Sequence, residues 1–76
     1  MVTVYSGPGC MQCKMTADVL TQEGIEFDYV DVSTNQEANE YLLSLGYRSV
    51  PVVETPDGIF QGFRPDKLRA LAPVAA

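Results

Sequence analysis

Two cysteines, Cys10 and Cys13, stand three positions apart and are the only cysteines of the chain. They lie where a predicted first strand ends and a predicted first helix begins. The unpaired N–H groups and partial positive charge of a helix N-terminus favour a thiolate at Cys10, and Lys14 adds a positive charge nearby. Cysteines in such surroundings have pKa values lowered to about 3.5–7.5. The pattern predicts thiol–disulfide exchange, with Cys10 as the nucleophile and Cys13 as the resolving thiol that closes a redox disulfide with it.

Two other roles compete for this pair. A structural disulfide would stabilise little, because closing so short a loop removes little chain entropy, and an intracellular compartment would keep it reduced. A zinc or iron–sulfur site usually takes four Cys or His ligands, whereas this chain has two cysteines and no histidine. A metal would therefore need a second subunit. A CxxC motif beside a βαβ pattern favours redox exchange over both.

The elements that must position the cysteines can be predicted from periodicity and turn residues. Residues 2–5 and 25–32 are predicted strands, and residue 10 to about residue 23 is a predicted helix that ends before Gly24. A second helix follows an N-cap at residues 33–35 and ends at Gly46. Two further strands flank a Pro56-Asp57-Gly58 turn, and a last helix begins at Pro65.

The apolar positions of these helices predict which side faces the sheet. In the first helix the stripe is Cys13, Ala17 and Leu20, flanked by Met15 and Val19. In the second helix, positions i, i+3, i+4 and i+7 are Ala38, Tyr41, Leu42 and Leu45. The last helix is expected to bury Leu68 and Leu71.

The element order βαβαββα predicts an α/β fold. A strand–helix–strand unit makes the first two strands parallel, and the closing hairpin is antiparallel. The expected result is one mixed four-stranded sheet flanked by three helices. The alternation of apolar residues along the second predicted strand changes phase between Tyr29 and Val30. Such a phase slip suits a strand covered on both faces, or a bulge.

Two segments each allow two interpretations. Pro51 could be a trans proline at the start of a strand, or a cis proline that packs beside the cysteines and leaves the Val50 backbone free to pair with a substrate strand. The segment 62–66 could be a strand-to-helix turn, or a partner-docking surface built from Phe63 and Arg64.

Composition limits the classes of function. The chain has 76 residues, enough for one domain over 1–76 with 73–76 as a short tail. Ten acidic and five basic residues give a net charge of −5, so nucleic acid and anionic membranes are not expected partners. No basic segment followed by an apolar one comes after Met1, and the expected location is the cytoplasm.

The whole chain resembles the NrdH-redoxins, which are glutaredoxin-like proteins of the thioredoxin fold. Their cysteine motif is Cys-(Met/Val)-Gln-Cys and their late motif is Trp-Ser-Gly-Phe-Arg-Pro-Asp. Here Phe60-Gln61 stands in place of Trp-Ser. The segments that carry the resemblance are Cys10-Met11-Gln12-Cys13, Val50-Pro51-Val52-Val53 and Gly62-Phe63-Arg64-Pro65-Asp66.

This resemblance implies more than the residues alone. It implies a sheet order of 2-1-3-4, a cis Pro51, and a monomer with no bound cofactor beyond the redox-active disulfide. Electrons would come from NADPH through thioredoxin reductase and pass to class Ib ribonucleotide reductase. The residues expected to support the active site are Met11, Gln12, Lys14, Val50 and Pro51. Those expected to dock a partner are Phe60, Gln61, Gly62, Phe63, Arg64, Pro65 and Asp66.

Two alternative functions stay open. The first is a glutathione-dependent glutaredoxin, although such proteins typically carry Cys-Pro-Tyr-Cys and a Gly-Gly-Asp-like element, and Phe63 would crowd that pocket. The second is a dimeric iron–sulfur binding module that shares a cluster through Cys10. Met11, as a residue other than proline at that position, leaves room for a bridging cluster.

Overall fold

The strands and helices follow the predicted order, with bounds that differ from the expected ones by a few residues. A computed structural model describes residues 2–71 of the chain. The elements are β1 (Val2–Ser6), α1 (Met11–Gln22), β2 (Phe27–Asp31), α2 (Gln36–Ser44), β3 (Val52–Thr55), β4 (Gly58–Gln61) and α3 (Pro65–Ala70). The predicted tail at 73–76 lies outside the described residues.

The sheet confirms the predicted topology. Its order is β2-β1-β3-β4. β1 and β2 run parallel, from Val2 opposite Phe27 to Ser6 opposite Asp31, with no break in the register. β3 is antiparallel to both β1 and β4. This is the mixed sheet of a thioredoxin-like fold, and it places the end of β1, with the cysteine loop that follows, between β2 and β3.

Helices cover both faces of the sheet. α1 and α3 pack on one face, where the buried core residues are Val2, Val4, Leu20, Val53 and Leu68. α2 packs on the other face, where they are Tyr5, Leu42 and Val52. Because side chains alternate along a strand, Val52 and Val53 of β3 enter different cores. The same strands therefore contribute side chains to both cores, one on each face of the sheet.

The coverage of both faces also explains the phase slip in β2. Phe27 packs against the α1 and α3 core, whereas Val30 packs against the α2 core. The unbroken register excludes a bulge as the cause within this strand. The strand begins at Phe27, two residues later than expected, and Ile25 packs against the core from the preceding turn.

Three apolar side chains expected in or beside the core are more exposed than predicted. Met15, Tyr41 and Leu45 are 39%, 39% and 47% exposed. Leu45 is the C-cap residue of α2, beyond the last helical residue, Ser44. The cap at the other end is Asn35, whose side-chain oxygen accepts the Ala38 N–H at 3.0 Å.

Glu54 of β3 joins β1 to α2 through two tyrosines. The Tyr5 hydroxyl donates to Glu54 Oε1 at 3.1 Å, and the Tyr41 hydroxyl donates to Glu54 Oε2 at 2.5 Å. The two rings are 6.1 Å apart. Burial, and then the hydrogen bond to Glu54, raise the pKa of Tyr5 to about 12. The bond to Glu54 also raises the pKa of Tyr41.

The helices are short. The longest, α1, has 12 residues. Among residues 2–71, no helix combines the length and the apolar character that crossing a membrane requires.

Candidate functional site

Cys10 is the N-cap residue of α1, and its sulfur lies at the start of the helix. Its φ and ψ are −91° and 99°, so its backbone is still extended while the helix begins at the next residue. Cys10 Sγ accepts the backbone N–H of Cys13 at 3.1 Å. The two cysteines form a disulfide with their Cα atoms 5.3 Å apart, within the usual range of about 4.4–6.8 Å. The sulfur atom of Cys10 thus receives one of the unpaired donors of the first helical turn.

The two cysteines differ in exposure. Cys10 is partly exposed, whereas Cys13 is fully buried. Met11 between them is 68% exposed, and Gln12 is also exposed. A partner that approaches the pair therefore meets Cys10, Met11 and Gln12 before Cys13.

Lys14 is an exposed residue of the first turn of α1. Its side chain borders a groove shared with Ala17, Asp18, Phe27 and Tyr29. The effect of Lys14 on the charge of Cys10 stays a prediction.

Thr16 is a site neighbour that the sequence analysis missed. It is fully buried in the same stripe as Cys13 and Leu20, where Ala17 had been expected and is only partly buried. Its hydroxyl donates to the Gln12 carbonyl at 2.8 Å. A threonine in a helix can hydrogen-bond its hydroxyl to a carbonyl of the preceding turn in this way. Its position three residues after Cys13 therefore indicates burial on the same helix face, despite its polar side chain.

A second loop meets the cysteine loop. The Val50–Pro51 peptide bond is cis, the isomer that the resemblance implies, and Pro51 is fully buried. Gly7 lies against Val50, since a Cβ placed on Gly7 would stand 3.3 Å from Val50 Cγ2. A side chain at residue 7 would therefore press on this loop. No local sequence pattern points to Gly7, because its contact with Val50 spans more than half the chain.

A groove runs beside this contact, between the two loops and α2. Its volume is about 240 Å³, and its lining includes Pro8, Leu43, Tyr47, Arg48 and Val50. Arg48 is exposed. The groove therefore offers apolar surface and one positive charge next to the segment that precedes Pro51.

The late segment, residues 62–66, forms the strand-to-helix turn that one of its two interpretations predicts, and its role in partner docking stays a prediction. Pro65 is the first residue of α3 and Arg64 its N-cap, as a strand-to-helix turn requires. Phe63 packs partly buried against the α1 and α3 core. Arg64 and Asp66 are exposed.

The two residues that depart from the family motif, Phe60 and Gln61, face different neighbours. Phe60 packs against the α1 and α3 core, with Lys67 Nζ 5.3 Å from its ring centre. Gln61 turns back to Ser49, donating to its carbonyl at 3.1 Å and to its hydroxyl.

Residues 2–71 contain no group of three or more His, Cys, Asp or Glu side chains placed to hold a metal ion. The chemistry visible at this site is that of the cysteine pair.

Comparison with known proteins agrees with this geometry. A family model described as glutaredoxin matches residues 2–59. The chain is 43% identical over 72 residues to the glutaredoxin-like protein NrdH of Lactococcus lactis subsp. lactis (strain IL1403), a match that covers 95% of this chain and all of the relative.

Solved structures extend the comparison to the fold. The glutaredoxin-like protein NrdH-redoxin from Escherichia coli, described as having a thioredoxin-like activity profile, superposes with a TM-score of 0.90 at 36% identity, covering 96% of each chain. A glutaredoxin from Archaeoglobus fulgidus superposes with a TM-score of 0.75 at 29% identity, covering 92% of this chain and 83% of the other.

Proposed function

Because this chain belongs to the glutaredoxin family, as an NrdH-like thiol–disulfide oxidoreductase, we propose that it carries electrons from thioredoxin reductase to class Ib ribonucleotide reductase. NADPH supplies the electrons through the reductase, and the carrier itself holds them as the reduced Cys10–Cys13 pair. The observation that carries the proposal is the position of Cys10: at the N-cap of α1, partly exposed, with the backbone N–H of buried Cys13 aimed at its sulfur.

The proposed reaction has two exchange steps. The Cys10 thiolate attacks one sulfur of the partner's disulfide, so a Cys10–partner bond forms and the other partner sulfur leaves as a thiolate. The Cys13 thiolate then attacks Cys10 Sγ, which breaks the mixed disulfide and releases the second partner thiolate. The partner gains two electrons and takes up two protons, and the Cys10–Cys13 disulfide is left. The reductase later returns two electrons to it.

The helix start stabilises the thiolate form of Cys10. The Cys13 N–H donates to the sulfur at 3.1 Å, and the helix dipole favours negative charge there. Both interactions favour Cys10 as a thiolate, as attacker and as the group displaced from the disulfide. Because Cys13 is buried, it is shielded from partners and reacts with the sulfur beside it.

The choice of thioredoxin reductase over glutathione rests on the late segment and on the relatives. Gly62-Phe63-Arg64 stands where glutathione-using glutaredoxins typically carry Gly-Gly-Asp, and Phe63 of this segment packs partly buried against the core. The superposable E. coli protein is described as thioredoxin-like in activity. We assign the exposed Met11, Gln12, Arg64 and Asp66 to partner contact, and the cytoplasm, where thiols stay reduced, as the location.

The test is a comparison of electron sources. NADPH oxidation is followed with insulin as the disulfide substrate, with either thioredoxin reductase or glutathione plus glutathione reductase, and C10S is the control in both arms. Turnover with thioredoxin reductase alone supports the proposal. Turnover with glutathione alone contradicts it and makes the protein a glutathione-dependent glutaredoxin.

The acceptor is tested separately. Class Ib ribonucleotide reductase is assayed for deoxyribonucleotide formation with NADPH, thioredoxin reductase and this protein, and again with C10S. Product formation that depends on Cys10 supports the assignment. Equal product formation with C10S contradicts it.

A further inference from the structure

The segment before Pro51 is held by a side chain from the far end of the hairpin. Gln61 is the last residue of β4, and its Nε2 donates to the Ser49 carbonyl at 3.1 Å and to the Ser49 hydroxyl. The next residue, Gly62, donates its backbone N–H to the Pro51 carbonyl at 2.8 Å. Two consecutive residues therefore hold the two ends of the segment Ser49–Pro51.

This segment needs such support. It lies between α2, which ends at Ser44, and β3, which begins at Val52, so strand pairing does not fix it. Among residues 2–71, Gln61 is the side chain that hydrogen-bonds it. On its other side, Val50 rests against Gly7 of the cysteine loop.

We propose that Gln61 is a positioning residue for peptide disulfides: its bonds to Ser49 hold Val50 beside the Cys10 loop in the arrangement that a substrate backbone must meet. In this proposal Gln61 acts on the substrate through Ser49 and not by a contact of its own. The inference rests on the proposed redox function of the cysteine pair. Arg64 extends the same chain of contacts, since its Nε donates to the Gln61 carbonyl at 3.3 Å.

The expected size of the effect follows from the exposure of these bonds. Ser49 is exposed and Gln61 partly so, and a hydrogen bond of this kind shifts an equilibrium by roughly two- to tenfold. The apparent affinity for substrate falls in proportion to the fraction of molecules whose segment is in the competent arrangement. The rate of sulfur exchange after binding is unchanged, because Cys10 and Cys13 are not moved.

The test uses the reduced protein in single turnover, without any reductase. One substrate is a fluorogenic peptide disulfide, which can pair with the Val50 backbone, and the other is dithionitrobenzoate, which has no peptide groups. The variants are Q61A, S49A and the exchange S49Q/Q61S, which rebuilds an amide–hydroxyl pair with the roles reversed. Q22A, at the exposed end of α1, is the matched control, and urea unfolding is measured for each protein.

For Q61A we expect the half-saturating peptide concentration to rise about three- to tenfold, with an unchanged limiting rate, dithionitrobenzoate rate and unfolding midpoint. S49A gives a smaller rise because the carbonyl bond remains, and the exchange variant recovers most of the affinity. The proposal is overturned by an unchanged half-saturating concentration in Q61A and S49A, or by equal losses with both disulfides. It is also overturned if the losses follow the unfolding midpoint. Failure of the wild-type protein to reduce either disulfide would contradict the proposed function instead.

Discussion

The structural position of Cys10 could be predicted from the neighbouring sequence, but not all of the contacts around it. Its place between a strand and a helix could be predicted from Gly9, from the absence of glycine and proline over the next residues and from the spacing to Cys13. Its contact with the Cys13 N–H follows from that place. The neighbours Gly7 and Val50 could not be paired, because tertiary packing brings together residues that no local pattern connects.

Substitutions of the two cysteines are predicted to block the exchange reaction at different steps. C10S removes the attacking sulfur, so disulfide reduction is lost. C13S keeps the attack but removes the sulfur that resolves it, so a mixed disulfide with the partner accumulates. Non-reducing gels and mass spectrometry after a single mixing with a protein disulfide distinguish the two. Full multiple-turnover dithiol activity in C13S would show that the roles are assigned wrongly.

Arg64 is predicted to matter for the reductase more than for small disulfides. Its side chain is exposed, and arginines are enriched among the residues that contribute most to the affinity of an interface. We expect R64A to lower kcat/KM with thioredoxin reductase about tenfold, which corresponds to ~1.4 kcal/mol. Dithionitrobenzoate reduction driven by dithiothreitol changes little.

The matched control for R64A is R69A, which removes another exposed arginine, near the other end of α3. Equal losses of R64A in the reductase and small-disulfide assays would contradict the docking role. So would an equal loss in R69A.

At the scale of the elements, turns and caps were the most reliable signals. Pro65 at the start of α3, Asn35 at the start of α2 and the turn before Gly58 all lie where their chemistry predicts. Burial within a helix was less predictable. Thr16 is buried because its hydroxyl is satisfied within α1, and Leu45 is exposed because α2 ends before it.

The hydrogen bond between Tyr5 and Glu54 predicts a loss of folding stability at alkaline pH. The pKa of Tyr5 is about 12 in the folded protein, against about 10 for an unperturbed tyrosine. The folded state therefore holds this proton more tightly than the unfolded state. The stabilisation is complete below about pH 10 and is lost as the pH rises toward about 12.

This prediction is measured as the free energy of unfolding in urea between about pH 9 and about pH 11. Y5F has no proton to lose at this position, so its stability is expected to fall less steeply than that of the wild type. Y29F, which changes a half-exposed tyrosine of β2, serves as the control and keeps the wild-type slope. An equally steep fall in Y5F would contradict the assignment.

At the scale of the whole molecule, the sheet topology followed from the order of the elements and from the resemblance. The two cores lie on opposite faces of the same strands, and β3 contributes Val53 to one and Val52 to the other. We therefore propose that the chain unfolds as one domain, since losing either core removes the support of strands that the other needs.

Substitution of one leucine in each core tests this. L68A and L42A each remove a buried side chain, at an expected cost of about 2–5 kcal/mol. Both are predicted to lower the midpoint of one shared transition, seen alike by tyrosine fluorescence and far-ultraviolet circular dichroism. L43A changes an exposed leucine of α2 and is expected to cost about 0.5 kcal/mol or less. Separate transitions for the two probes would contradict a single domain.

The acidity of the chain has a further consequence at the borders of the sheet. Within the described residues, β2 and β4 form the two outer strands, each with one hydrogen-bonded neighbour. Such an edge can template another chain and start aggregation. β2 carries Asp28 and Asp31 within five residues. The Ser33 hydroxyl and N–H donate to Asp31, which lowers its pKa and keeps it charged in mild acid. Edge-to-edge stacking of β2 from two molecules would bring these like charges together, so the carboxylates of this edge strand oppose polymerisation.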